Sequence, residues 1–573
     1  MPARGAPETI EHLSERYGPA YRWFVVATCL MGALGMVLSS VSMNVAVPSV
    51  MGAFGVGQDQ AQWIATGYLA SMVIGMLLHS WLIAALGQRL TFMVIIGAFL
   101  AASVVGAFST SIEMLIAARI MQGIPAGVIQ PFAMMMNFQV FPPERRGTAM
   151  GMFGMGVVLA PVFGPLLGGI AIDTLGWRYI FAMPLPLIAV AAILGPVFLP
   201  ERVNRGPLPH FDWTGLVLLA VGLAFSLSAL TSGQRLGWTS DDVVGMGALG
   251  IAAITTFVWW EGKAKRPLLD FTLFLNPRFA CAMAVSFIFG ICLFGSAYVI
   301  PVFTQIIQGY TAMRAGGLIA LGGSIMVLMF PISGRVADSM PPQYLIVGGL
   351  VIFSAGFVMM HYVDVNTGFF VMAALAAFTR LGLSWVMTPL NTTALRYVPP
   401  EKLASGSSNA NFFRQLGGGM GIAILVAILE TRTTFHANNL TATQTPANTA
   451  SGETLWQLSE LLAVTGLPEA MRQAEATVFL GRIVQANAAM FGFQDVFLTL
   501  AGITMVAVLP AWFLRRPRPV MQSVNDAIEE PAKKAVPLPK EPVHPARVLH
   551  RRFANRTAEK TGAASAATRR QAR

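Results

Sequence analysis

Charge is what this sequence has least of. Only 11% of its 573 residues are Asp, Glu, Lys or Arg, against 55% hydrophobic, and the mean hydropathy is +0.63. A soluble domain carries about a quarter charged residues, so the composition excludes an ordinary water-soluble globule. Cysteine is also scarce. Cys29, Cys281 and Cys292 all fall inside apolar runs, which excludes a disulfide framework and leaves them as packing residues. The chain has no Gly-rich phosphate loop, no CxxC spacing and no local Ser/His/Asp cluster, so ATP-driven transport, membrane enzymology, a metal centre and a cofactor are all disfavoured. Carboxylates are missing from the middle of every long apolar run: Glu113, Asp173, Glu261, Asp338 and Glu430 stand at edges.

What the chain has in excess is apolar runs of roughly twenty residues, each long enough to cross a bilayer as a helix. About fourteen can be counted: 23–47, 62–83, 91–109, 113–137, 148–172, 179–199, 213–232, 243–260, 279–303, 315–337, 343–362, 367–391, 405–430 and 494–514. The fold expected is an all-α polytopic membrane protein. The first 22 residues carry six charges and no small-residue cleavage site, so the first span is expected to stay as an anchor. Loops after even-numbered spans hold Arg89, Arg145, Arg146, Arg202, Arg205, Lys263, Lys265, Arg266, Arg278, Arg335, Arg396 and Lys402; short loops after odd-numbered spans hold Arg178, Arg235 and Arg314. The positive-inside rule then puts both termini in the cytoplasm. The tail from 515 to 573 has fourteen Lys and Arg among Pro and Ala. It reads as a disordered segment beside anionic membrane lipids, and the net charge of +11 needs no nucleic-acid partner.

A repeat organises the spans. Phe141-Pro142-Pro143-Glu144-Arg145 returns as Val398-Pro399-Pro400-Glu401-Lys402 at an offset of 257, each copy following a fourth span if counting restarts at the ninth. The chain divides as six, two and six: an N-terminal segment 1–22, a six-helix bundle 23–199, an inserted two-helix hairpin with linkers 200–278, a second six-helix bundle 279–514 with a periplasmic loop 431–493, and the tail 515–573. Parallel repeats of this kind belong to transporters whose halves rock about a midplane site.

Four segments carry a resemblance. They are Asn44-Val45-Ala46-Val47-Pro48, Arg119 with Gln122 and Gly123, the series Gly151, Ala160, Gly164, Pro165, Gly168 and Gly169, and Trp177-Arg178-Tyr179-Ile180-Phe181. Together they resemble the fourteen-span drug:proton antiporters of the major facilitator superfamily, over nearly the whole chain except its termini. Ala160 stands where that motif has Gly. Ala160-Pro161-Val162-Phe163-Gly164-Pro165, the segment from Phe435-His436 and the roughly sixty-residue loop before the last span resemble EmrB-type multidrug efflux permeases. That resemblance implies export by proton antiport across a bacterial inner membrane, with a periplasmic adaptor and an outer-membrane channel as partners.

Glycines on one face of span five let a neighbouring helix approach, and Pro165 permits a bend, so a gating role is expected. Arg119 inside span four needs a cavity or a partner, and the resemblance implies proton coupling for it; Arg380 occupies the corresponding span of the second half, and Arg414 the thirteenth span. The departures are specific. Members of the resembling group usually carry an Asp where this chain has Ser39, and normally an Asp and an Arg in the loop after span two where it has Ala84 and Ala85. The second copy, Gly334-Arg335-Val336-Ala337-Asp338, keeps its Asp. Candidates for the proton site are therefore His79, with a hydrogen-bonded packing histidine as the alternative, and Asp173, with an interfacial salt bridge to Arg178 as the alternative. Ser39, Ser40, Asn44 and Asn137 are candidate cavity residues, Ser40 and Asn44 sharing a helix face. Without a midspan acid, neutral or anionic lipophilic substrates fit better than cations. A helical hairpin is expected outside the membrane, with Leu455, Leu458, Leu461 and Leu462 on one arm, residues 470–490 on the other, and Gly466 and Pro468 at its turn. An uncoupled facilitator or uptake carrier and a nontransporting scaffold or sensor remain the alternatives.

Overall fold

The computed structural model describes residues 8–56, 61, 63–202, 210–264, 267–445, 448–464 and 468–514, and every regular element among them is helical. In hydrocarbon a helix satisfies its own backbone polar groups, so apolar runs of this length have one solution. Caps set the ends. Ser111, Ser240 and Thr311 each accept a backbone N–H of the following first turn, and Gly55, Gly176 and Gly237 end helices at positive φ.

A short helix α1 (Ile10–Tyr17) precedes α2 (Tyr21–Phe54), α3 (Trp63–Leu86), α4 (Gln88–Ala107), α5 (Ile112–Val140), α6 (Arg146–Leu175) and α7 (Leu185–Phe198), which form the first six-helix bundle. Then come α8 (Trp213–Leu236) and α9 (Asp241–Glu261), an inserted antiparallel pair. The second bundle holds α10 (Pro277–Ile306), α11 (Ala312–Ser339), α12 (Pro342–Met360), α13 (Phe369–Arg396), α14 (Leu403–Thr443) and α16 (Glu469–Val506), with α15 (Thr449–Ala463) and α17 (Val508–Trp512) as short additions. Thirteen helical stretches among the described residues are long and apolar enough to span, and the apolar stretch Trp213–Ser226 of α8 is shorter. The protein is thus two six-helix bundles and an inserted pair.

The helical hairpin outside the bundles is present, in a different form from that expected. At 41 residues α14 is about 60 Å long, and α16 joins the hairpin's second arm to the last span without a break. Asp495 of α16 ties the two by accepting from Arg432 Nε at 2.6 Å and pairing with His436 Nε2 at 2.8 Å. Leu461 is exposed, and Gly466 lies outside the described residues, as do Arg205, Lys265, Arg266 and the whole tail 515–573.

The inserted pair leans on both bundles, because α8 touches α3 of the first and α14 of the second. Its base is polar. Glu261 accepts the backbone N–H groups of Leu268 and Leu269 at 3.2 and 3.4 Å, Asp212 accepts Trp260 Nε1 at 2.9 Å, and Asp270 pairs with Lys402 at 2.8 Å. Partial burial works against ionisation of Asp270, but hydrogen bonds from Lys402 and Thr272 outweigh it and hold its carboxyl below the usual carboxylate range. A depressed carboxyl stabilises the fold above its unfolded pKa of about 3.9 and loses that contribution as pH falls through the depressed value. Asp270→Asn should therefore melt below the wild type at pH 7, and the gap between their melting temperatures should close on acidification. A gap independent of pH down to 3 would show that the carboxyl charge is irrelevant.

Candidate transport site and gate

Inside the first bundle Arg119 is 1% exposed and its charge is spread over neutral partners. Nη1 donates to Gln122 Oε1 at 2.8 Å and to Ser39 Oγ at 3.4 Å, Nε reaches the Ile64 carbonyl at 3.5 Å, and the guanidinium lies 4.1 Å from the Tyr68 ring centre. Gln122 Nε2 passes the network to Ser103 Oγ at 2.8 Å, and the Tyr68 hydroxyl donates to Met36 O at 3.0 Å with Ser40 in hydrogen-bond reach. Four helices, α2 to α5, thus meet at one buried cation. They meet closely because Gly75, Gly123 and Gly127 have no side chains: a Cβ on Gly123 would lie 1.9 Å from Ser71 Oγ, and one on Gly127 1.9 Å from Met72 O. Gly123 is therefore a contact point between α3 and α5.

The glycine series of α6 divides among three surroundings. Gly151 faces the second bundle, where its Cβ would fall 2.5 Å from Phe330 O of α11. Gly164 and Gly168 face α2, and Ser42 Oγ donates to Gly164 O at 3.0 Å. Gly169 meets no atom within 4 Å. Ala160 is buried. The side chains of Pro165, Asp173 and Asn44 lie outside the described residues.

Asp338 and His79 stand at the seam between the bundles, at the end that bears the Arg-rich loops. Asp338 of α11 accepts Gly147 N at 2.6 Å, Thr148 N at 2.9 Å and Thr148 Oγ1 at 2.7 Å, so a carboxylate of one bundle caps the N-terminus of α6 in the other. His79 of α3 pairs through Nδ1 with Ser408 Oγ of α14 at 2.9 Å, and its buried Nε2 has no partner. Asn411 Nδ2 approaches Met134 Sδ at 3.3 Å, and Asn137, one turn along, is buried with both amide atoms unpaired. In the first bundle the loop at Ala84 and Ala85 has no comparable acid. Arg202 donates to the Ala85 carbonyl, and Arg89 bonds Glu8, Glu201 and Leu199 O, fastening α1 to two loops of its own bundle.

Following α6 and α11 away from this end, contacts persist through Gly154 against Phe330 and Val162 against Gly323, and a Cβ on Gly169, Gly316 or Gly317 would meet no atom within 4 Å. The expected residues thus occupy three places. Arg119, Gln122, Ser39 and Ser40 form one buried network, Arg380 lies apart in the second bundle on Ser296, and His79, Asp338 and Gly151 form the seam. Tyr68, Ser103, Thr148, Ser296, Ser408 and Asn411 were not anticipated. A signal existed for Ser296, which lies 257 residues after Ser39, the offset of the repeat.

Two pseudo-symmetric bundles that meet around buried polar groups define a membrane carrier. The chain belongs to the Major Facilitator Superfamily, whose model matches residues 23–422. It is 29% identical over 483 residues to the multidrug export protein EmrB of Escherichia coli, covering 84% of this chain and 93% of that protein. It is 29% identical to the multidrug transporter protein MdtP of Bacillus subtilis, covering 72% and 76%, and 26% identical to the lincomycin resistance protein LmrB of Listeria monocytogenes, covering 71% and 86%. Among solved structures it is similar in fold to the human organic anion transporter MFSD10, with a TM-score of 0.56, 14% identity and coverage of 86% and 99%. The proton:xylose symporter XylE gives a TM-score of 0.55 at 14% identity, with coverage of 87% and 97%.

If Asp338 is the latch, removing its charge favours parting of the bundles at the Arg-rich end. Losing such a cap costs about 0.5–2 kcal/mol, equivalent to a roughly two- to thirtyfold shift in population. In a background where Cys29, Cys281 and Cys292 are Ala, maleimide labelling of Ser408→Cys should accelerate by that factor on adding Asp338→Asn. An unchanged rate would remove Asp338 from the gate.

Proposed function

We propose that this protein exports lipophilic small molecules from a bacterial cytoplasm by alternating access, with proton antiport as the driving force. The Arg-rich end and both termini are then cytoplasmic, and the structure corresponds to an outward-facing state. The observation that supports the reading is the α6–α11 seam, where backbone contact and one carboxylate join the two bundles at the Arg-rich end. The names of the relatives, multidrug export and lincomycin resistance, support the direction and the substrate class.

His79 is the proposed proton site. Protonated, it presents a second N–H where Nε2 now lacks an acceptor, so a proton penalises the sealed seam and favours the inward-open state, the order that an antiporter needs. Arg119 and Gln122, in place of an ion pair with an acid at Ser39, hold the helices that line the path. The α14–α16 extension exposes Trp456 at 66% and Val464 at 90%. This apolar surface suits a periplasmic adaptor leading to an outer-membrane channel. One observation favours an uncoupled facilitator instead: Ser39 stands where the resembling antiporters have Asp, and the buried carboxylate among the described residues, Glu261, belongs to the inserted pair.

In proteoliposomes, efflux of lipophilic dyes should be directional, accelerate with an imposed pH gradient and collapse with an uncoupler, and His79→Ala should abolish the gradient dependence. Flux indifferent to the gradient would establish the facilitator, and absence of any flux would overturn the carrier reading.

A further inference from the structure

Among the described residues three arginines are buried within the bundles, and two of them have more than one side-chain partner. Arg119 has Gln122, Ser39 and Tyr68; Arg414 donates to Asn391 Oδ1 at 3.3 Å and to Asn411 Oδ1. Arg380 differs. Although only 6% exposed, it makes one hydrogen bond, from Nη1 to Ser296 Oγ at 3.0 Å, and no acidic side chain or aromatic face engages it among the described residues. Its Nε and Nη2 have no hydrogen-bond partner among the described residues, so most of its donor capacity is unused. Gly322 of α11 leaves room for its stem, a Cβ there falling 3.3 Å from Arg380 Cγ.

The register gives this a meaning. Ser296 on α10 and Ser39 on α2 are repeat equivalents, and each binds an arginine of the fourth helix of its own bundle. The first pair is completed by protein and the second is not. A guanidinium in a low-dielectric interior without a counter-charge costs several kcal/mol, and a carboxylate relieves that cost through two parallel N–H···O bonds. The pair lies between α10 and α13, the first and fourth helices of its bundle, and α13 also packs against α6 across the seam; Arg380 stands well inside α13, at the depth where such carriers bind cargo.

We propose that Arg380, supported by Ser296, is the anchor for the acidic group of the transported molecule, and that the preferred cargo is an aromatic or aliphatic organic anion. This deepens the export reading and rests on it.

The test uses a matched naphthalene series, 2-naphthoate, 2-naphthamide and 2-naphthyltrimethylammonium, with binding to the purified full-length protein measured separately from flux in proteoliposomes. Wild type should bind the carboxylate at least about tenfold more tightly than the amide, as one charged, bidentate contact provides. Arg380→Gln should bring the carboxylate to the level of the amide while amide binding stays within about twofold, which also shows that the variant is folded. Arg380→Lys should retain part of the preference. No carboxylate preference in wild type, or a preference that survives Arg380→Gln, overturns the anchor. Flux of the amide without carboxylate preference would leave export standing and the anchor refuted. Arg380-dependent carboxylate binding without flux of any member would refute export and keep the anion site.

Discussion

The bundles can meet because α6 and α11 touch without side chains between them. Gly147, Gly151 and Gly334 bring the two backbones together, and that proximity places the Asp338 carboxylate on the first N–H groups of α6. A helix N-terminus is a fixed site of partial positive charge, so the interaction is directional and short-ranged. It holds the bundles only when α6 is drawn fully in. A contact that is either made or lost suits a two-position joint better than a graded one. The remainder of the seam follows from it: His79 against Ser408 and Asn411 against Met134 are formed only while the bundles are together.

Polar groups inside the bundles are paired unequally, and the inequality separates support from recognition. Arg119 is surrounded by an amide of its own helix, a hydroxyl of α2, and a carbonyl and an aromatic face of α3. Its charge is dispersed without an acid, and it serves as a joint within one bundle. Arg380 has been left one hydroxyl. Asn137 and His79 keep unpaired atoms in the closed seam, a cost that water can relieve when the seam opens. The seam is therefore held by backbone contact and the Asp338 cap and opposed by these unpaired groups.

Most of the architecture was legible in the chain itself. Apolar run length placed the helices, because span length follows from the bilayer acting along a single segment, and the Pro-Pro-Glu repeat showed two equivalent halves. The site was legible only in part. Arg119, Gln122 and Ser39 stood out as a charge and its neighbours in a motif, but Tyr68 and Ser103 looked like any span residue. The hairpin beyond the last loop was seen as a separate pair of arms, whereas one of them runs on into the final span, since nothing between residues 469 and 506 breaks a helix.

By itself the sequence determined the membrane environment, the number of crossings and the twofold repeat, all of which depend on local hydropathy and charge. Only the tertiary structure decided that Gly123 packs within its bundle while Gly151 packs against α11 of the other, that Asp338 caps a helix of the other bundle, and that Arg119 has several partners while Arg380 has one hydroxyl. These distinctions rest on which face of a helix meets which neighbour. In a chain where nearly every face is apolar, helical periodicity carries little of that information.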